Sequence, residues 1–311
     1  MTWRQRNCFK VSDPADSGEF ATVAIMINRR TFLRVGGLVI GGTACASAVT
    51  ALGGCSSDEP APFALARRFP NEVLVPGQVR LPVSLVRDGT VQTSGPASLR
   101  GRVLAADGSV ATTTAARRDI DPQVPPYWAF RVEVPTAGLY TLRVDGDDGD
   151  GAAFEVFDAE QVAMPHVGST LQPFDTPTVD DHRGVEPYCS LTPQPCPLHS
   201  VTLTQALEAG QPLVYMVGTP AHCQTGTCAP GLEYLSATHA RVGDAVTMVH
   251  ADVFADNAGT IVSPAVNALG LSYEPVVYLC APDGRIVEQL DGVWDQTEVD
   301  EAVDRLISQF S

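Results

Sequence analysis

The sequence predicts an all-β domain followed by an α/β domain, joined by a proline-rich connector and preceded by an export segment. Three observations carry that prediction. Between residues 63 and 158, short β-rich runs recur between turn signals, with no helical period and no cysteine. From 159 to 200, Pro165, Pro173, Pro177, Pro187, Pro193, Pro195 and Pro197 keep the chain extended and irregular. From Val201 onward, helically spaced segments alternate with continuous apolar runs of the kind that form buried strands. With 311 residues, 44% of them hydrophobic and 18% charged, the chain is long enough for two globular domains.

The N-terminal segment reads as an address. Asn28-Arg29-Arg30-Thr31-Phe32-Leu33-Arg34 sets two arginines before a Phe-Leu pair, and Val35 to Leu52 follows uncharged and rich in Gly and Ala. The first stretch resembles the twin-arginine export signal. Leu52-Gly-Gly-Cys55 resembles a bacterial lipobox, which implies that Cys55 is acylated and begins the mature chain. The apolar run is also at the minimum length of a transmembrane helix, but its glycines and closing cysteine favour export. Met26, just ahead of the arginines, predicts translation from that residue rather than from Met1. Residues 1–54 are therefore expected as a signal segment and 55–62 as a polar tether. The expected location is the outer face of the cell membrane, by a lipid anchor.

Beyond residue 54, fourteen arginines stand against thirty-three Asp and Glu, and Lys10 is the only lysine of the chain. Such a surface argues against nucleic acid or anionic lipid as a partner, although a GC-rich genome, in which Lys codons are rare, accounts for the same composition and is the favoured reading.

In the all-β stretch the expected strands are Glu72–Val75, Val79–Val86, Ser98–Leu104, Trp128–Val134, Gly138–Val144 and Ala152–Phe157, punctuated by Asp88-Gly, Asp107-Gly and Asp145-Gly. Regular short strands argue for an antiparallel sandwich. The run Gly138-Leu-Tyr-Thr-Leu-Arg-Val144 resembles the late strands of immunoglobulin-like domains, which implies that architecture for residues 63–158. Tyr127-Trp128 reads as core or a strand-edge plug.

Export matters for the cysteines, because disulfides persist outside the cytoplasm. Cys8 and Cys45 fall in the removed segment, leaving Cys189, Cys196, Cys223, Cys228 and Cys280 in the mature domains. Cys189-Ser-Leu-Thr-Pro-Gln-Pro-Cys196 closes a loop that Pro193 and Pro195 pre-bend, and a structural disulfide is the favoured reading. A metal site from Cys189, Cys196 and His199 is the alternative, although the gap is longer than zinc usually takes and a fourth ligand is missing. A second redox pair feeding the next domain is the third reading. Cys280, in an apolar run, is expected to be buried and inert.

From residue 201 the expected order is helix, strand, helix, strand, helix, strand, strand, helix. Leu213–Val217 is a buried strand, and Thr219-Pro-Ala-His-Cys223-Gln-Thr-Gly-Thr-Cys228-Ala-Pro230 follows it, leading into a helix over 230–241. A strand-to-helix junction favours thiolate, because exposed N–H groups and the positive dipole end of the helix lie there. Ala245–Phe254 reads as the next strand, with His250 in it as a core or edge residue. Ser263–Leu269 is helical, and Pro275–Cys280 and Arg285–Leu290 are joined by Pro282-Asp-Gly284. Thr297 is expected to cap a last helix.

That order, with Cys223, Pro230, Pro275 and Asp283-Gly284 in their places, resembles the thioredoxin fold over residues 201–311. The resemblance implies Cys223 as the attacking thiol, Cys228 as the resolving one, and Pro275 as a cis-proline that holds an extended substrate. His222 stands where the family has an aromatic residue, at the rim of the thiolate. The four-residue gap between the cysteines is a departure, and Val217 stands where many thioredoxins bury an acid.

The expected function is thus a membrane-anchored extracytoplasmic thiol–disulfide oxidoreductase, acting on a protein or peptide dithiol or disulfide, with no cofactor and no metal. The alternatives are a copper-binding assembly protein of the same fold, for which His250 would have to reach the cysteines across the sheet, and a non-catalytic adaptor with a structural disulfide. The anchor is tested by metabolic palmitate labelling. Label should be incorporated in a globomycin-sensitive manner and disappear in Cys55→Ala; unchanged labelling would refute lipidation at Cys55.

Overall fold

The structure, a computed structural model, describes residues 63–108, 110–120 and 124–310. The expected signal segment, the tether and Cys55 lie outside the described residues. Residues 63–310 belong to one compact unit. No helix among the described residues is long and apolar enough to cross a membrane.

The first half is a single curled antiparallel sheet. Its strands are β1 (Ala64–Arg67), β2 (Gly77–Arg87), the two-residue β3 (Thr90–Val91), β4 (Ser98–Ala105), β5 (Val110–Arg118), β6 (Tyr127–Val134), β7 (Gly138–Val144) and β8 (Ala152–Val156). Their order is β1-β2-β6-β5-β4-β7-β8, with β3 on β2. The sheet nearly closes into a barrel. At its seam, Phe63 bridges to Asp147 in the β7–β8 turn, and the Arg67 guanidinium donates to the Ala153 carbonyl of β8 at 2.8 Å. Alternate residues of the strands fill the interior, including Leu81, Val83, Leu85, Trp128, Phe130, Leu142 and Phe154.

The second half begins with the connector, which has no regular element beyond a short 3-10 turn at Ala159–Gln161. It continues with α1 (Leu203–Glu208), β9 (Leu213–Val217), α2 (Cys228–Val242), β10 (Thr247–Ala251), α3 (Pro264–Leu269), β11 (Val276–Cys280), β12 (Ile286–Asp291) and α4 (Gln296–Phe310). The sheet order is β10-β9-β11-β12, with β9 and β10 parallel and the other pairs antiparallel. All five residues of β9 and all five of β11 are buried, because helices cover both faces. Val214 and Met216 pack with Leu232 and Leu235 of α2 and Val299, Val303 and Leu306 of α4. Leu213, Tyr215 and Val217 face Leu203 of α1 and Val266 and Leu269 of α3.

The expected immunoglobulin-like sandwich followed by a separate thioredoxin-like α/β domain is corrected by this arrangement. The molecule is mainly β: a nearly closed antiparallel sheet and a four-stranded mixed sheet, with few helices. The physical reason lies in β5, which no sequence signal marked. Its residues 110–116 pair with β4, and Arg117 and Arg118 then cross to pair with Trp128 and Tyr127 of β6. One strand thereby joins what would have been two facing sheets. Val-Ala-Thr-Thr-Thr-Ala-Ala-Arg-Arg has β-branched residues but no large apolar side chain to mark a core face, and its threonines are exposed or half-exposed. Glu72–Val75, expected as a strand, is a turn at Glu72 and Val73 followed by irregular chain.

The halves are also not independent. Strand β2 is buried from Val79 to Val86, so both of its faces are covered. One face fills the barrel interior, and from the other Arg80 reaches α4. There Glu298, 1% exposed, accepts from Arg80 Nε and Nη2 at 2.8 and 2.7 Å, from Tyr127 Oη at 2.7 Å and from Arg131 Nη2 at 3.1 Å. Arg80 further donates to the carbonyls of Asp291 and Val293. Arg118 pairs with Asp295 and Glu301, and Arg131 with Glu288. Asp295, rather than Thr297, takes the capping role in α4, accepting the Glu298 N–H at 2.8 Å. Pro230 is the third residue of α2, inside the first turn, where its missing N–H is not needed and no bend is required.

Burial alone would raise the Glu298 carboxyl, but the Arg80 guanidinium and its hydrogen bonds, with Arg131, outweigh it and hold Glu298 down at about 2. Removing one partner of such a buried pair strands a charge, so Glu298→Ala should cost about 3–5 kcal/mol in denaturant unfolding. The depressed carboxyl stabilises the fold fully above its ordinary value of 4.5, and that contribution is lost as pH falls toward about 2. Melting temperature should therefore drop through that window in the wild type, with a smaller drop in Glu298→Gln. Identical acid profiles for the two proteins would refute this role.

Candidate functional site

Cys223 and Cys228 form a disulfide, with their Cα atoms 5.9 Å apart. Strand β9 ends at Val217, a 3-10 turn at Pro220–His222 reverses the chain, and Cys228 opens α2. The two sulfurs sit in different surroundings. Cys228 is 0% exposed, whereas Cys223 is partly exposed at the rim. The Cys228 N–H, at the first turn of the fifteen-residue α2, donates to Cys223 Sγ at 3.3 Å, and Thr225 Oγ1 lies 3.3 Å from the same sulfur. Both contacts favour negative charge on Cys223 once the disulfide opens.

A carboxyl stands behind the buried sulfur. Glu274 Oε2 lies 3.8 Å from Cys228 Sγ and accepts the Thr219 N–H at 2.7 Å. Burial pushes the Glu274 carboxyl up to about 7, only partly offset by the Thr219 hydrogen bond. The sequence position where an acid was sought, Val217, is wholly apolar surroundings in β9. The acid is supplied instead from the loop before β11, and the one signal that could have found it is its place next to Pro275.

The Glu274–Pro275 peptide bond is cis, as the resemblance implied. Glycine is favoured at 218, where a Cβ would lie 2.9 Å from the Met216 methyl and 3.1 Å from Pro275 Cβ. Pro275 therefore abuts the loop that leads to the cysteines. His222 is engaged elsewhere: its Nε2 donates to the Asn257 carbonyl at 3.1 Å, and its ring packs edge-on to Phe254 with centroids 5.5 Å apart. It braces the 254–259 loop, and a Cβ on Gly259 would strike its ring at 2.9 Å. Cys280 is fully buried in β11, and burial pushes its thiol up to about 12. It is inert, as expected for an apolar strand.

A second group of functional side chains lies against the same face of the mixed sheet as α2. Cys189 and Cys196, expected as a disulfide, are free thiols, both buried. The connector runs along the edge of β10, where the His250 N–H donates to the Leu198 carbonyl at 3.0 Å. Strand alternation sends Val249 and Ala251 to one core and Met248 with His250 to the other, where the two thiols lie. Ligand atoms of Cys189, Cys196, His199 and His250 all fall within 4.8 Å of one another. Cys196 shares its proton with Cys189: the hydrogen bond between them lowers the Cys189 thiol and raises that of Cys196. His250, read from sequence as a lone core or edge histidine, is the residue that completes the group. Its signal was its place on the alternate face of β10, and the partners lie more than fifty positions earlier in the chain.

The connector also reaches the disulfide loop. Ser190 donates through N and Oγ to the buried Asp252 carboxylate, both at 2.7 Å, and its Oγ accepts the Ala221 N–H at 3.2 Å. His250 Nε2 donates to the Gly218 carbonyl at 3.0 Å. The two cysteine pairs thus share a common loop, residues 218–222, between them. No family model and no curated protein matches this sequence.

Proposed function

We propose that the protein is a thiol–disulfide exchange enzyme, held at the outer face of the cell membrane by acylated Cys55, with Cys223 and Cys228 as its redox pair. The observation that carries the reading is the asymmetry of the pair: one sulfur is accessible and held by a helix N-terminus, and the other is buried against a carboxyl. In the oxidising direction a substrate thiolate attacks Cys223 Sγ. The Cys223–Cys228 bond breaks, the Cys228 sulfur leaves with the electron pair, and the Glu274 carboxyl gives it a proton. A second substrate thiolate then attacks the substrate sulfur of the mixed disulfide and releases Cys223 thiolate. The substrate leaves oxidised and the enzyme pair is reduced. In the reverse direction Glu274 carboxylate takes the Cys228 proton, so that Cys228 resolves the mixed disulfide. The substrate class is a protein or peptide dithiol or disulfide, docking at the partly exposed Cys223, while Pro275, itself buried, supports the loop beneath it.

The test uses Cys228→Ser. Mixed disulfides through Cys223 should accumulate and be absent in the Cys223→Ser,Cys228→Ser double variant; their absence in Cys228→Ser would overturn the reading. For Glu274→Gln, resolution in a stopped-flow thiol-exchange assay should slow by roughly 10²-fold or more, the scale of general acid–base catalysis. In the wild type that step should accelerate as pH rises through about 7, where Glu274 ionises, and the inflection should vanish in Glu274→Gln. An unchanged pH profile would exclude Glu274 as the proton acceptor.

A further inference from the structure

We propose that Cys189, Cys196, His199 and His250 form a closed tetrahedral site for a zinc ion. Four observations converge on it. The first is distance. Cys189 Sγ and Cys196 Sγ lie 3.8 and 3.6 Å from His250 Nδ1, and His199 Nε2 lies 3.1 Å from it. With Zn–S of about 2.3 Å and Zn–N of about 2.0–2.1 Å, the edges of a zinc tetrahedron are about 3.3–3.8 Å; the two sulfur–nitrogen distances fall in that range, and the nitrogen–nitrogen distance opens by a few tenths of an ångström as the ion enters.

The second observation is tautomeric. His199 Nδ1 faces the Pro177 carbonyl at 3.2 Å and His250 Nε2 faces the Gly218 carbonyl at 3.0 Å. A carbonyl only accepts, so each ring spends its N–H on the backbone and turns a bare lone pair inward. Two lone pairs facing each other at 3.1 Å repel, and a cation held between them and the sulfurs removes that repulsion. Imidazoles that ligate metal are oriented by this same outward hydrogen bond.

The third is charge. Two thiols release their protons as the ion binds, and Zn²⁺ with two thiolates and two neutral imidazoles is electrically neutral, which suits a site whose four ligands are 0–4% exposed. The fourth is donor type. Two sulfurs and two nitrogens in a tetrahedron select zinc among the common divalent ions, and four protein ligands with no open position describe a structural site rather than a catalytic one.

Zinc here would staple the connector to β10. Through the His250–Gly218 hydrogen bond and the Ser190–Ala221 bond, it would also fix the loop that delivers Cys223. The inference is independent of dithiol exchange, because none of its ligands belongs to the Cys223–Cys228 pair.

The experiment measures metal in the full chain purified without chelator. Inductively coupled plasma mass spectrometry should find about one zinc per chain, and the same amount in Cys223→Ser,Cys228→Ser. Exchange into cobalt(II) should give the strong visible d–d bands and sulfur-to-cobalt charge transfer of a tetrahedral thiolate site. Iodoacetamide should label Cys189 and Cys196 in the wild type only after zinc is stripped, which reads the site without requiring a variant to fold. His250→Gln and Cys196→Ser should each lose the zinc. Purified protein that carries a Cys189–Cys196 disulfide and takes up no added zinc sulfate would overturn the proposal. So would copper(I) in place of zinc, or zinc retained in both ligand variants.

Discussion

A carboxylate enclosed between two sheets must be compensated where it lies, and the joint between the halves of this protein is built around that requirement. Glu298 is buried on α4, and its two oxygens receive Arg80, Arg131 and Tyr127, all from the curled sheet. The donors come from two separate strands: β2 supplies Arg80, and β6 supplies Tyr127 and Arg131. The arrangement forms only when both strands are already paired and α4 is already packed, so it reports on the assembled fold rather than creating local structure. Ion pairs of this kind contribute little net stability against an apolar replacement, but they penalise any other registration of the halves, because a misplaced α4 would leave an unpaired charge in the interior. The curled sheet therefore behaves less as a spacer than as the wall against which the mixed sheet is finished.

The functional loop inherits its order from that frame by a short chain of polar contacts. Gly218 donates its N–H to Ala251 and receives His250 on its carbonyl; Thr219 gives its N–H to Glu274; Ala221 gives its N–H to Ser190. A loop between strand and helix has few backbone partners of its own, and here side chains from the connector, β10 and the β11 approach supply them. Glu274 serves two purposes in this, since the same oxygen that positions Thr219 faces the Cys228 sulfur. Its raised pKa follows from the same burial that lets it hold the loop.

Much of this was legible in the sequence where one physical signal dominates. Continuous apolar runs placed β9 and β11 correctly because strands covered on both faces need no alternation. The cysteine motif sat at the strand–helix junction it suggested. What escaped was of two kinds. Strand β5 escaped because its identity comes from its neighbours: Ala115 is a buried residue too small to mark a face, and pairing with β4 and β6 supplies the rest. Glu274 and His250 escaped because their partners are remote, 46 residues away for Cys228 and 61 for Cys189. Only the sheet order brings them together, and no local spacing rule encodes it. The sandwich expectation failed for the same reason, since strand positions alone do not say which strand turns the corner.

The double burial of β2 also decides how the molecule comes apart. A strand whose interior-facing side chains fill the curled sheet and whose outward Arg80 is locked beneath α4 cannot open without disrupting both cores. Its amides should therefore exchange with deuterium only through global unfolding, and the two halves melt as one cooperative unit. Severing the chain between the halves would not release two separable fragments, because the covalent link between them is not what holds them together.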